Sequence, residues 1–335
     1  ASDMHIEPHG ERARVRFRID GVLHDIDTIS KAMVLPVITR LKILAGMDIA
    51  ERRRPQDGKI ELRIGGEDVD IRVSALPLRD GGESAVLRFL RKAALIYDMS
   101  LLGLSPDVEA RLLEDLRVTS GVVLLTGPTG SGKTTSLYTF LSRLNSPDVK
   151  IITLEDPVEY QLQGINQVQV QPDIGFDFAR GLRSIVRQDP DVIMVGEIRD
   201  RETASVAMQS ALTGHLVFST VHTNDAPSAF TRLLDLGVEE FLLNAALRSI
   251  VAQRLVRRLC SCSSPHPNPG DLMSRYRLES IAQRYSVDVT DLREAVGCEE
   301  CSHTGYRGRL AIVEYLRCDE AVAAMDKSEH FIAEA

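Results

Sequence analysis

The segment Gly127-Pro128-Thr129-Gly130-Ser131-Gly132-Lys133-Thr134 constrains this chain more than any other. It satisfies G-x-x-x-x-G-K-[ST] at every fixed position, follows the apolar run Val122–Leu125 and opens a helical pattern over Lys133–Leu144. Strand, glycine-rich turn, then helix is the order that cradling a phosphate requires. Glycines let successive N–H groups turn toward the oxygens, and the helix N-terminus adds positive potential. In such a loop Gly127, Pro128, Thr129, Gly130, Ser131, Gly132, Lys133, Thr134 and Thr135 surround the nucleotide. Lys133 reaches the β- and γ-phosphates and the Thr134 hydroxyl ligates Mg2+, so ATP and Mg2+ are the expected ligands.

The rhythm around this loop is strand alternating with helix, which reads as α/β with a mostly parallel sheet. Strands are expected at Val122–Leu125, Val149–Leu154, Val192–Val195 and Leu216–Val221, and helices at Lys133–Leu144, Phe178–Arg187, Arg201–Leu212, Pro227–Leu236 and Val238–Leu259. Before it, residues 1–92 read as a small α+β domain. Apolar residues alternate in Val15–Ile19, which sets Arg14, Arg16 and Arg18 on one face. A helix over Val34–Ala45 stops at Gly46, and Gly65-Gly66-Glu67-Asp68 joins two alternating runs as a hairpin. Residues 93–105 read as a linker, 106–259 as the nucleotide domain, 260–305 as a cysteine-rich insertion and 306–335 as a C-terminal helical segment.

Polar groups stand at the ends of the expected parallel strands, where ligands of such sheets bind. Glu155, Asp156 and Glu159 follow one strand, Gly196-Glu197 the next, and His222 the last. Glu197 is the expected residue for polarising an attacking water. Gly196 stands where an acidic metal ligand is usual, so Mg2+ relies on Thr134, water, and Glu155 or Glu159. His222 is expected at the γ-phosphate. His215 follows Gly214 at a helix end, and capping that helix is its plainer reading. A solvated strand-end acid and an ordinary Asp-Pro turn are the bland alternatives for the carboxylates.

Several segments together resemble the type II/type IV secretion and pilus traffic ATPase superfamily. They are Ser2–Pro8, Arg16–Gly21, Pro55–Gly58, Thr153–Pro157, Arg187–Asp191, Val195–Asp200 and the stretch from His215 to His222. Gly164–Val170 and Ile174-Gly175 look more like the type II secretion E protein than the pilus-assembly ATPase, and the cysteine insertion weighs against the retraction ATPases. The resemblance implies a RecA-like P-loop ATPase domain and a homo-hexameric ring working in the cytoplasm, bound peripherally at the inner membrane through secretion platform proteins. It implies that arginines of the preceding domain complete the site, with Arg16 and Arg18 in that role and Arg72 and Arg88 behind them. It also implies a further N-terminal docking domain ahead of Ser2. The chain begins at Ala1 without an initiator Met, as a piece of a longer protein would.

Cys298-x-x-Cys301 has zinc-ligand spacing, and the resembling family member carries two such pairs. Here the first pair is Cys260-Ser261-Cys262, with a tighter bite. Cys260, Cys262, Cys298 and Cys301 are the expected zinc ligands, and the tight bite implies either His266 in place of one cysteine or a weakly binding site; free thiols or a disulfide are the alternatives. Cys318 lies outside this cluster.

The net charge of −8 disfavours general nucleic-acid binding, which needs clustered cations. Arg254, Arg257 and Arg258 form only a local basic cluster, read as a solvated helix end. No apolar run nears the ~18 residues of a membrane span, and no signal peptide is visible. Type IV pilus extension and a nucleotide-gated scaffold with little turnover stand as competing functions.

Overall fold

A computed structural model describes residues 1–79, 81–91, 97–285, 288–325 and 331. Most of the expected linker's first half, residues 93–96, lies outside the described residues. Two compact units divide the chain: Ala1–Leu255 together with Ala311–Ala335, and Val256–Leu310.

The larger unit begins with β1 (Asp3–His9), β2 (Arg12–Ile19), β3 (Val22–Ser30), α1 (Lys31–Leu44), β4 (Gln56–Ile64), β5 (Glu67–Pro77) and β6 (Glu83–Arg91). They form an antiparallel sheet in the order β3-β2-β1-β6-β5-β4. Gly65 and Gly66 close the β4–β5 hairpin with φ of +61° and +89°. Two consecutive left-handed residues match the turn to the strands' twist, and glycine adopts them without strain. Alternation buries Ile71 and Val73 of β5 and Leu87 of β6 against Val34 and Ile38 of α1. Lys42, on the same face of α1, is buried as well; it pairs with Glu83 and donates to the Glu51 carbonyl at 2.8 Å.

The chain then forms α2 (Pro106–Asp115), β7 (Gly121–Thr126), α3 (Lys133–Leu144), β8 (Ile151–Glu155), β9 (Asn166–Gln169), α4 (Phe178–Ile185), β10 (Val192–Val195), α5 (Arg201–Leu212), β11 (Leu216–Val221), α6 (Ala226–Asp235), α7 (Glu240–Ala246) and β12 (Leu247–Leu259). The second unit follows with β13 (Ser264–Pro265), α8 (Pro269–Arg275), α9 (Leu278–Tyr285) and β14 (Arg293–Glu294). β15 (Tyr306–Arg317) and α10 (Glu320–Ala324) complete the described elements. The second sheet runs β15-β12-β7-β11-β10-β8-β9, parallel from β12 through β9. Both faces of β7 are covered. Val122 and Leu124 pack with α4 to α7 on one side, and Val123 and Leu125 with α2 and α3 on the other. Burial on both faces is the condition of a parallel sheet.

Two segments expected to be helical are strands over much of their length. The helix expected over Val238–Leu259 is the short α7 followed by the long strand β12. Ser249, Ile250, Val251, Ala252 and Gln253 are buried in succession. An element packed on both faces shows no period that separates strand from helix, and here the pairing with β7 decides. The helical segment expected over 306–335 is strand β15 over its first part, its burial alternating along Tyr306–Arg317. Residues 326–330 and 332–335 of that segment lie outside the described residues.

Candidate nucleotide site and cysteine cluster

The phosphate loop lies between β7 and α3, at the carboxyl end of a central strand. Gly127 has φ +140° and Gly132 has φ +91°. A Cβ on Gly127 would come within 2.3 Å of the Gln253 carbonyl oxygen, and one on Gly132 within 2.7 Å of Gln253 Nε2. Pro128, Thr129 and Gly130 are exposed, as are Thr134 and Thr135 at the start of α3. Ser131 is buried, and its hydroxyl has no protein partner. Lys133 Nζ donates to the carbonyls of Gly127 at 2.7 Å and Pro128 at 3.2 Å. Burial pushes its ammonium below the usual lysine range, and the Glu197 charge pulls the other way. An amine paired only with carbonyls, an orphaned hydroxyl and a cradle that admits no Cβ fit a phosphate group. The exposed Thr134 hydroxyl fits its Mg2+.

Glu197 follows β10 directly. Arg199 Nη2 lies 2.5 Å from its Oε1, and His222 Nε2 lies 3.5 Å from its Oε2. Neighbouring strands hold this corner: Ser219 Oγ donates to the Val195 carbonyl at 2.7 Å, and Thr220 Oγ1 to the Gly196 carbonyl at 2.8 Å. The Thr223 amide donates to Thr126 Oγ1 at 2.9 Å, which ties the segment carrying His222 to the last residue before the phosphate loop. The structure thus brings Lys133, Glu197 and His222 together. Arg199, two residues beyond Glu197, is a partner that the sequence motifs alone do not single out.

The other expected residues are engaged with partners of their own. The Glu155 side chain is buried and accepts from Tyr138 OH, from Thr153 Oγ1 at 2.5 Å and from Gln167 Nε2 at 3.1 Å. Glu159 pairs with Arg72 at 3.3 Å. Arg16 pairs with Glu7 at 2.6 Å, and Arg18 donates to the Gly21 carbonyl at 3.0 Å. Cross-strand register puts Arg72, Arg88, Asp3 and Arg18 in one row of the six-stranded sheet. Arg72 is the member of that row whose guanidinium also donates to the Val158 carbonyl, at 3.0 Å. Burial raises the Tyr160 hydroxyl's pKa, and the charges of Arg72 and Arg88 oppose the shift. His215 caps α5, its Nδ1 lying 2.8 Å from the Ser210 carbonyl oxygen.

In the second unit, Cys260, Cys262, Cys298 and Cys301 offer sulfurs that all lie within 4.8 Å of one another. The separations are 3.9 Å for Cys260–Cys298, 4.0 Å for Cys262–Cys301 and 3.8 Å for Cys298–Cys301. Four thiolates ~2.3 Å from a tetrahedral zinc stand ~3.8 Å apart, so the cluster fits that ion. Burial opposes ionisation of Cys301, but the amides of Cys298 and Gly305 donate to its sulfur and bring its pKa to about 6. His266 is not part of the cluster; its Nδ1 accepts from the Asn268 amide at 3.2 Å. The tight Cys260-x-Cys262 bite therefore closes a four-sulfur site without the expected substitute. Among the described residues, no helix is long and apolar enough to cross a membrane.

A mostly parallel α/β sheet with a phosphate loop, a strand-end glutamate and a histidine beyond the adjoining strand defines the P-loop ATPase class of fold, RecA-like in its arrangement. The family model described as "Type II/IV secretion system protein" matches residues 1–334, and the chain belongs to that family. It is 50% identical over 318 residues to the type II secretion system protein E of Xanthomonas campestris pv. campestris, covering 94% of this chain and 55% of that protein. It is 47% identical over 330 residues to the type II secretion system ATPase E of Vibrio cholerae serotype O1, covering 98% of this chain and 64% of that one. The chain thus spans somewhat more than half the length of these relatives. Among solved structures, the pilus retraction motor PilT with bound ADP matches at a TM-score of 0.61 and 30% identity, covering 87% of each chain.

Proposed function

We propose that this chain hydrolyses Mg-ATP to power a type II secretion machine. The observation that carries the reading is Glu197, set between Arg199 and His222 and within the electrostatic reach of the buried Lys133. A nucleotide-gated scaffold needs no such carboxylate.

In this reading Lys133 leaves the loop carbonyls and grips the β- and γ-phosphates, while the loop amides take the remaining oxygens. Mg2+, held through the Thr134 hydroxyl, supplies neutralising charge at those phosphates when bound. Glu197 accepts a hydrogen bond from the attacking water and polarises it, and His222 donates toward the γ-phosphate. Arg72, with Arg88, Arg16 and Arg18 on the same sheet, neutralises charge developing on the transferred group. Glu155 acts through Tyr138 and Thr153, fixing the end of β8 against α3. Four cysteines hold a structural zinc that folds residues 256–310.

The finer reading is a cytoplasmic homo-hexamer peripheral to the inner membrane, whose turnover drives pseudopilus assembly through platform proteins. Pilus extension stands as the second reading, within a family whose description spans type II and type IV systems. The test is ATP hydrolysis at rising protein concentration. Specific activity should rise if sites are completed between subunits. A flat, appreciable rate over a range in which the chain passes from monomer to oligomer would reject the shared site.

A further inference from the structure

We propose that Gln253 is the positioning residue of the phosphate loop, holding its first and last glycines and the first turn of α3 at the depth where phosphates are gripped. The inference rests on the nucleotide reading above. Gln253 is 3% exposed and lies on β12, whose register with β7 pairs Ala252 with Thr126 and so sets Gln253 alongside Gly127. Its Oε1 accepts from Ser136 Oγ at 2.8 Å, a bond buried at both ends. Its carbonyl oxygen occupies the space behind Gly127, and its Nε2 the space behind Gly132. One residue therefore backs the loop at its entry and its exit and is bonded to the helix that follows.

The alternative is that Gln253 merely fills the sheet. Its neighbours Ile250, Val251 and Ala252 do so with apolar side chains. A buried primary amide carries a desolvation penalty that an apolar side chain of like volume avoids. What the apolar side chain lacks is the acceptor for Ser136 and the polar wall behind Gly132. Loop amides that must point at one phosphate position gain from a fixed support, because a small displacement weakens every one of their hydrogen bonds together.

The test uses the full chain, with thermal unfolding as the check on folding. Gln253→Leu should raise both KM and the dissociation constant for a fluorescent Mg-ATP analogue about tenfold, the effect of one lost buried hydrogen bond and its orphaned partner. Its kcat should stay within about threefold of the parent, because nothing made only in the transition state is removed. Ser136→Ala should weaken binding in the same direction by roughly threefold. The double variant should bind no worse than Gln253→Leu, since the two act through one contact. Gln253→Glu restores an acceptor for Ser136 but places a carboxylate behind Gly132; it should bind more weakly than the parent, and because the position is buried, added salt should relieve little of that loss.

Parental affinity in Gln253→Leu, a fall in kcat at unchanged KM, or additive losses in the double variant would each overturn the proposal. If Gln253→Leu does not fold, Ser136→Ala decides, and unchanged affinity there overturns it. Failure of the parent chain to bind Mg-ATP better than Lys133→Ala would overturn the nucleotide reading instead.

Discussion

Arg72 on β5 and Glu159 beyond the end of β8 stand 3.3 Å apart, and the same guanidinium reaches the Val158 carbonyl at 3.0 Å. Both side chains are about one third exposed, so the pair itself contributes at most about 1 kcal/mol to stability. Arg72→Ala should therefore leave the thermal midpoint nearly unchanged yet lower ATP turnover at least tenfold, as loss of an arginine at a transferring phosphate does. Arg72→Lys should restore little, because the planar fork is lost. Parental turnover in Arg72→Ala would remove this arginine from the mechanism.

Glu155 and Glu197 should separate cleanly. Glu155 is buried among three donors, so Glu155→Gln sets an amide NH2 against Gln167 and should cost about 1–3 kcal/mol of stability. Its kcat should fall less than about tenfold, far less than that of Glu197→Gln. Chemical denaturation and steady-state rates on both variants decide. A loss of kcat equal to that of Glu197→Gln, at unchanged stability, would make Glu155 catalytic.

His222 lies close enough to Glu197 to orient it or to donate past it to phosphate. His222→Ala should reduce kcat about tenfold or more while leaving nucleotide affinity within a few-fold, since the interaction strengthens only as charge develops. Equal losses in affinity and rate would mean that His222 binds the ground state.

Metal analysis should find one zinc per chain, and Cys298→Ser should lose it. Without the ion the second unit has little apolar core: among its described residues, only Cys260 and Cys301 join the buried hydrophobic set. Chelation should make residues 256–310 protease-sensitive while the larger unit still binds Mg-ATP. Resistance to protease after complete metal removal would refute a structural zinc.

The phosphate loop was legible because its chemistry is local. Glycines, lysine and threonine must be contiguous, and the flanking strand and helix follow at once. The helices over Lys133–Leu144 and Arg201–Leu212 were legible for a similar reason, the second being capped by Asp200, which accepts from the Thr203 amide at 2.8 Å. β12 was not, because continuous burial erases the period that tells strand from helix. Gln253 went with it, since its role exists only once β12 lies beside β7. Alternation in β2 gave a face of arginines, but not which strand of that sheet reaches the acidic segment beyond β8. That strand is β5, and its contact with Val158 and Glu159 joins residues far apart in sequence.

The most direct test sets Glu197→Gln beside Lys133→Ala in paired measurements of Mg-ATP binding and hydrolysis. Glu197→Gln should bind Mg-ATP as the parent does and lose hydrolysis about a hundredfold or more, while Lys133→Ala should lose both. Parental turnover in Glu197→Gln would contradict the assignment of the water-polarising carboxylate and, with it, the reading of this site as a hydrolytic motor.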